Sequence, residues 1–118
     1  MVELHWRVFL QTKNPKTAGK LTKNIFELLG SCELTSSQLY WKDSSLFEIT
    51  FKQSLKEKEP SKLMIEIFET ASLISNSWLI DLPSSFKSEE FDLSGIVSEG
   101  IKITGLTWVS FMLNELDV

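Results

Sequence analysis

The chain has 118 residues, of which 42% are hydrophobic and 24% charged, with a net charge of −4. A chain of that length buries roughly two-thirds of the surface that its unfolded form exposes, so residues 1–118 are read as a single domain with a core that needs no staples. A lone cysteine, Cys32, excludes an intrachain disulfide framework and a multi-cysteine zinc site, no apolar run approaches membrane-spanning length, and the acidic balance disfavours nucleic acid and anionic lipid as partners.

Residues 1–7 carry no basic flank ahead of an apolar block, and a single thiol suits a reducing compartment, so the expected location is the cytoplasm. In chain order, Leu4, Trp6, Val8 and Leu10 alternate with His5, Arg7, Phe9 and Gln11, which predicts a first strand with one apolar side. Asn14 stands where an N-cap belongs, Pro15 suits the first helical position, and Gly30 suits the residue beyond the last turn. Between them Ala18, Leu21, Ile25, Leu28 and Leu29 share one side of a helix, opposite Lys16, Lys20, Lys23 and Glu27. Residues 32–41 read as a weaker strand with a bulge expected at Ser36 and Ser37, and residues 42–45 as the turn that follows.

Phe47, Ile49 and Phe51 then alternate with Glu48, Thr50 and Lys52, which predicts a half-buried strand that the polar break at residues 56–60 ends. Ser61 is the expected N-cap of a second helix, with Leu63, Met64, Ile67, Phe68, Ala71 and Ile74 on one face and Lys62, Glu66 and Glu69 opposite. Asn76 and Ser77 end that helix; Trp78, Ile80 and Leu82 alternate with Leu79 and Asp81 until Pro83 closes another strand. Strand, helix, strand, strand, helix, strand predicts an α+β fold: a ferredoxin-like split βαβ sheet with two helices on one face. Residues 101–104 and 106–113, divided by Gly105, are expected to add a terminal strand or hairpin. Both alternating sets of residues 107–113 are largely apolar, as in a strand covered on both faces or one that offers an apolar side to a partner.

Few residues carry a chemical pattern. His5, the only histidine, points away from the core with no nucleophile beside it, and Cys32 sits at a helix-to-strand corner as a packed residue. Glu89, Glu90 and Asp92 share a loop that has no histidine and no calcium-loop spacing, so neither a metal nor a cofactor is assigned. Lys13, Lys16, Lys20 and Lys23 read as a solubilising stripe, and residues 12–19 lack the glycines of a phosphate loop. Phe47 and Phe51 have the spacing with which some sheets stack RNA bases, a spacing that core packing explains equally well. Of four tryptophans, Trp6, Trp78 and Trp108 fall in sets assigned to strand cores, and Trp41 beside Tyr40 is the candidate exposed anchor.

Charge divides along the chain: residues 63–118 hold Lys87 and Lys102 against nine acids. Acidic, small and without a catalytic set, the chain resembles the small immunity proteins that bacteria make against the basic toxic nucleases of their neighbours. That resemblance implies a non-catalytic protein-binding domain that neutralises a basic toxin by covering its active site, with carboxylates steering the encounter. The partner surface is assigned to Asp81, Glu89, Glu90, Asp92 and Glu99, with Trp41 or Phe86 as an apolar anchor. Two alternatives stand beside it. One is a small-molecule-binding regulatory module acting as a homodimer, with the terminal strand as the contact; the other is a small enzyme, which requires a cleft holding a carboxylate of raised pKa.

Overall fold

The structure, a computed structural model, describes residues 2–83, 85, 87 and 91–113. Its elements are β1 (Val2–Leu10), α1 (Pro15–Leu29), β2 (Cys32–Tyr40), β3 (Asp43–Leu55), α2 (Pro60–Ser72), β4 (Leu79–Asp81), β5 (Leu93–Val97) and β6 (Leu106–Leu113). The strands form one sheet in the order β2-β3-β1-β6-β5-β4, with every neighbouring pair antiparallel.

This corrects the ferredoxin-like split βαβ expectation. The strand that follows α2 should lie beside β1; that place is taken by β6, and β4 lies at the far edge beyond β5. Strand length explains the outcome. β1 presents a long edge that β6 matches from Leu106 to Met112, whereas β4 is reduced to Leu79–Asp81 before Pro83. Trp78, expected within that strand, stops short of it and packs its ring against Trp6 and Phe111, while its indole N–H donates to the Ala71 carbonyl at 2.9 Å. Both edges of β6 are paired, so among the described residues the outer strands of the sheet are β2 and β4.

Alternation sets the two faces. Leu4, Trp6, Val8 and Leu10 of β1, Phe47, Ile49, Phe51 and Gln53 of β3, and Val109, Phe111 and Leu113 of β6 are buried on one side. Both helices lie there, because the Gln53 side chain reaches the Leu29 carbonyl at the end of α1 and the Thr70 hydroxyl of α2. The α1 caps form as the sequence predicts: Asn14 accepts the Lys16 N–H at 2.9 Å, Pro15 opens the helix, and Gly30 closes it with φ at 76°. α2 begins two residues earlier than expected, with Pro60 as its first residue and Glu59 in place of Ser61 as a cap that makes no side-chain bond. Each helix is also rolled slightly from its predicted face. Thr22 and Thr70 are buried while Leu28 and Phe68 are partly open, because a hydroxyl can be satisfied inside: Thr22 donates to the Ala18 carbonyl and Thr70 meets Gln53.

An aromatic spine fills the core. Trp6 stacks on Phe51 at 6.0 Å and meets Phe111 at 5.6 Å, while Phe26 of α1 stands edge-on to Phe51 at 5.0 Å. Each such pair adds about 1 kcal/mol beyond the area it buries. Gly95 of β5 lies directly across from Phe111, and a Cβ there would come within 2.6 Å of that ring, so the glycine gives the ring its room.

Candidate functional site

The other face of the sheet carries no helix among the described residues. Outward residues of β1 are Glu3, His5, Arg7 and Phe9; across from them stand Ser54, Lys52, Thr50 and Glu48 on β3, and Met112, Ser110 and Trp108 on β6. Glu33 and Gln38 of β2 extend the rows on one side, and Ser94, Ile96, Leu79 and Asp81 of β5 and β4 on the other.

At the centre, Arg7 donates from Nε to a Glu48 carboxylate oxygen at 2.8 Å and brings one terminal nitrogen onto the same oxygen. The guanidinium carbon lies 4.9 Å from the centre of the Phe9 ring, 5.8 Å from Trp108 and 6.0 Å from Tyr40. The rings continue as a line across the sheet: Trp108 to Phe9 at 5.2 Å, Phe9 to Tyr40 at 4.5 Å, Tyr40 to Trp41 at 6.2 Å. Register shifts between Phe9 and Leu10 and between Leu39 and Tyr40 flank this line. Such bulges re-aim the side chains beside them and bring together rings from three strands.

A further bulge at Thr35 puts Thr35 and Ser36 on this face together. Both hydroxyls meet Thr50 Oγ1, at 2.7 and 2.6 Å. The bulge expected at Ser36 and Ser37 therefore falls one residue earlier. Lys52 pairs with Glu3 at 3.6 Å, so each of the two cations projecting from these strands, Arg7 and Lys52, has a carboxylate partner there. Glu33, Asp81 and Asp92 form no ion pair among the described residues, which leaves the face negative.

The structure unites only some of the residues assigned from sequence. Asp81 and Asp92 line one hollow of about 300 Å³ with Ser94 and Met112, at the end of the sheet where Leu93 pairs with Leu113. Glu99 lies apart from them, in a smaller hollow with Leu79, Ile96 and Trp108. Trp41 is 78% exposed at the β2–β3 turn, in the diagonally opposite corner from Asp81, so it does not anchor the same contact. Glu89, Glu90 and Phe86 lie outside the described residues. Phe47 and Phe51 are buried under the helices and present no platform to solvent.

Trp108 was expected in the core and stands on the helix-free face. Both alternating sets of β6 are apolar, and the insertion of Thr107 opposite Phe9 and Leu10 resets which set points inward. Phe9 among His5, Arg7 and Gln11 was the available clue: an aromatic residue in an otherwise polar set.

A second depression of about 780 Å³ runs between α1 and β2, lined by Pro15, Thr22, Phe26, Cys32, Leu34 and Phe47 among others. Burial pushes the Cys32 thiol up to about 11, so it stands there protonated and weakly nucleophilic. At the β2–β3 turn the Ser45 hydroxyl and backbone N–H both donate to Asp43 and hold its carboxyl below the usual range. No group of three or more metal-ligating side chains occurs among the described residues, and no helix among them is long and apolar enough to cross a membrane. Compared with known protein families, with curated proteins and with solved structures, the chain matches none.

Proposed function

We propose that the chain is a non-catalytic protein-binding domain that covers a basic partner with the helix-free face of its sheet. One observation carries the reading: that face gathers tryptophan, tyrosine and arginine at one end and, towards the other, carries the carboxylates of Glu33, Asp81 and Asp92, which form no ion pair among the described residues. Those three residue types dominate the energetic centres of protein interfaces, and carboxylates elsewhere on the same face speed encounter with a cationic protein. An immunity protein that neutralises a basic toxin in the cytoplasm is the specific form that the acidic composition supports; the single, half-buried thiol suits that reducing compartment.

The test is capture of the partner from the source cell, followed by stopped-flow association across a range of ionic strength. A basic partner whose association rate falls at least about tenfold between low and high salt supports the proposal. A rate independent of salt, or an acidic partner, refutes it. The α1–β2 depression favours a second reading, a small-molecule module, because its volume lies in the range of ligand sites. A rise in melting temperature with a metabolite panel, in a chain indifferent to basic proteins, would select that reading.

A further inference from the structure

Three aromatic rings and a carboxylate gathered about one point are the chemistry that recognises a guanidinium: ring faces attract the delocalised cation and the carboxylate takes its in-plane N–H groups. Phe9, Tyr40, Trp108 and Glu48 make such a site, and the chain fills it with its own Arg7. The occupant is less enclosed than the seat: 43% of the Arg7 side chain is exposed against 12% of Glu48. The Arg7 end of the ion pair is open to solvent, which weakens that pair and the cation–π contacts beside it, so a guanidinium delivered with the rest of an interface can take the place. Lys42 stands 5.0 Å from the centre of the adjoining Trp41 ring, so the next ring along the line also receives a cation. Glu33, Asp81 and Asp92, on the same face and without an ion pair among the described residues, favour a cationic protein over a nucleic acid.

We infer that this cluster is a guanidinium seat, held by Arg7 in the free protein and taken over by an arginine of the basic partner, which stacks on Trp108 and Tyr40 and pairs with Glu48. The inference rests on the protein-binding reading above. Arg7 leaves toward solvent on its flexible stem.

Hexa-arginine and hexa-lysine peptides, titrated into the full chain at low salt and followed by calorimetry, test it. Hexa-arginine is expected to bind at least about fivefold more tightly than hexa-lysine, because only guanidinium both stacks and pairs in-plane. Glu48→Gln should lose about fivefold or more, while Glu33→Gln, with the same change of charge one strand away, loses less than about twofold. Arg7→Ala should gain at least about threefold over Lys52→Ala, which removes the same charge from the same face. Tyr40→Leu, on the edge strand, reads the stacking, and unfolding curves show that each variant is folded. Equal binding of the two peptides, weaker binding by Arg7→Ala, or a preference for a decauridine RNA over hexa-arginine overturns the seat. A captured partner with salt-steep association that ignores Glu48→Gln and Arg7→Ala also overturns the seat and leaves the protein-binding reading standing. A salt-independent association overturns that reading, and the peptide series then judges the seat alone.

Discussion

Gln53 is buried in the middle of β3 and joins three parts of the fold through one amide. Its oxygen accepts the Trp6 indole N–H at 3.0 Å, and its nitrogen donates to the Thr70 hydroxyl at 3.0 Å and to the Leu29 carbonyl at 3.2 Å. Gln53→Leu keeps most of the volume and removes all three bonds, stranding an indole donor on a tryptophan that is almost fully enclosed. A stranded buried donor or acceptor costs about 1–3 kcal/mol, and the added apolar burial offsets part of that, so the expected net loss is about 3 kcal/mol. For a domain of this size that is a fall of roughly 12 °C in melting temperature. Urea unfolding followed by tryptophan fluorescence measures it. In a double-mutant cycle with Thr70→Val the two changes should be coupled by at least about 1 kcal/mol, since each removes the other's partner. A loss below about 0.5 kcal/mol for Gln53→Leu, or strict additivity in the cycle, would show that the amide is not what holds the helices to the sheet.

Gly95→Ala should destabilise by about 1–3 kcal/mol in the same assay, because the new methyl meets the enclosed Phe111 ring at 2.6 Å; a neutral result would mean that β5 shifts freely. Asn14→Ala should cost about 1 kcal/mol through loss of the bond to the Lys16 N–H, with Asn14→Asp close to the parent in urea unfolding. Cys32 should react with a disulfide reagent at pH 8 well below the rate of a free thiol and reach that rate on unfolding, since burial raises its pKa. The linkage sign follows: the folded state holds this proton more firmly, so the contribution is complete below the unfolded thiol's pKa near 9.0 and is lost as pH climbs toward 11. Unfolding curves from pH 8 to 11 on the parent and Cys32→Ala would show it as a difference that narrows with pH.

Local chemistry was legible in the sequence wherever it acts over a few residues. Asn14, Pro15 and Gly30 bound α1 as their types require, and the alternation in β1 and β3 separates core from surface correctly. Which strand lies beside which was not legible, because periodicity says that a segment pairs and is silent on its neighbour. β4 lost the place beside β1 to a longer strand far away in the chain. Where both alternating sets are apolar, as in β6, periodicity cannot say which faces in, and Trp108 was placed in the core for that reason. Thr22 and Thr70 were missed as core residues because their hydroxyls find partners that only the folded chain supplies. Among the assigned acids, Asp81 and Asp92 meet in one hollow, while Trp41 is carried to the opposite corner by the β2–β3 turn.

The position of β6 bears on how the chain comes to be folded. Its pairing with β1 joins His5 to Met112, a closure of about a hundred residues, so the inner edge of β1 stays open on the ribosome until all the residues between them have been made. During that interval β2, β3 and β1 can assemble as a three-stranded leaf with an unguarded apolar border, the kind of border that recruits foreign strands. Synthesis halted before Leu106 would release that leaf permanently, with β4 and β5 left no strand to pair with it; such truncated chains should collect in inclusion bodies rather than survive as smaller folded units.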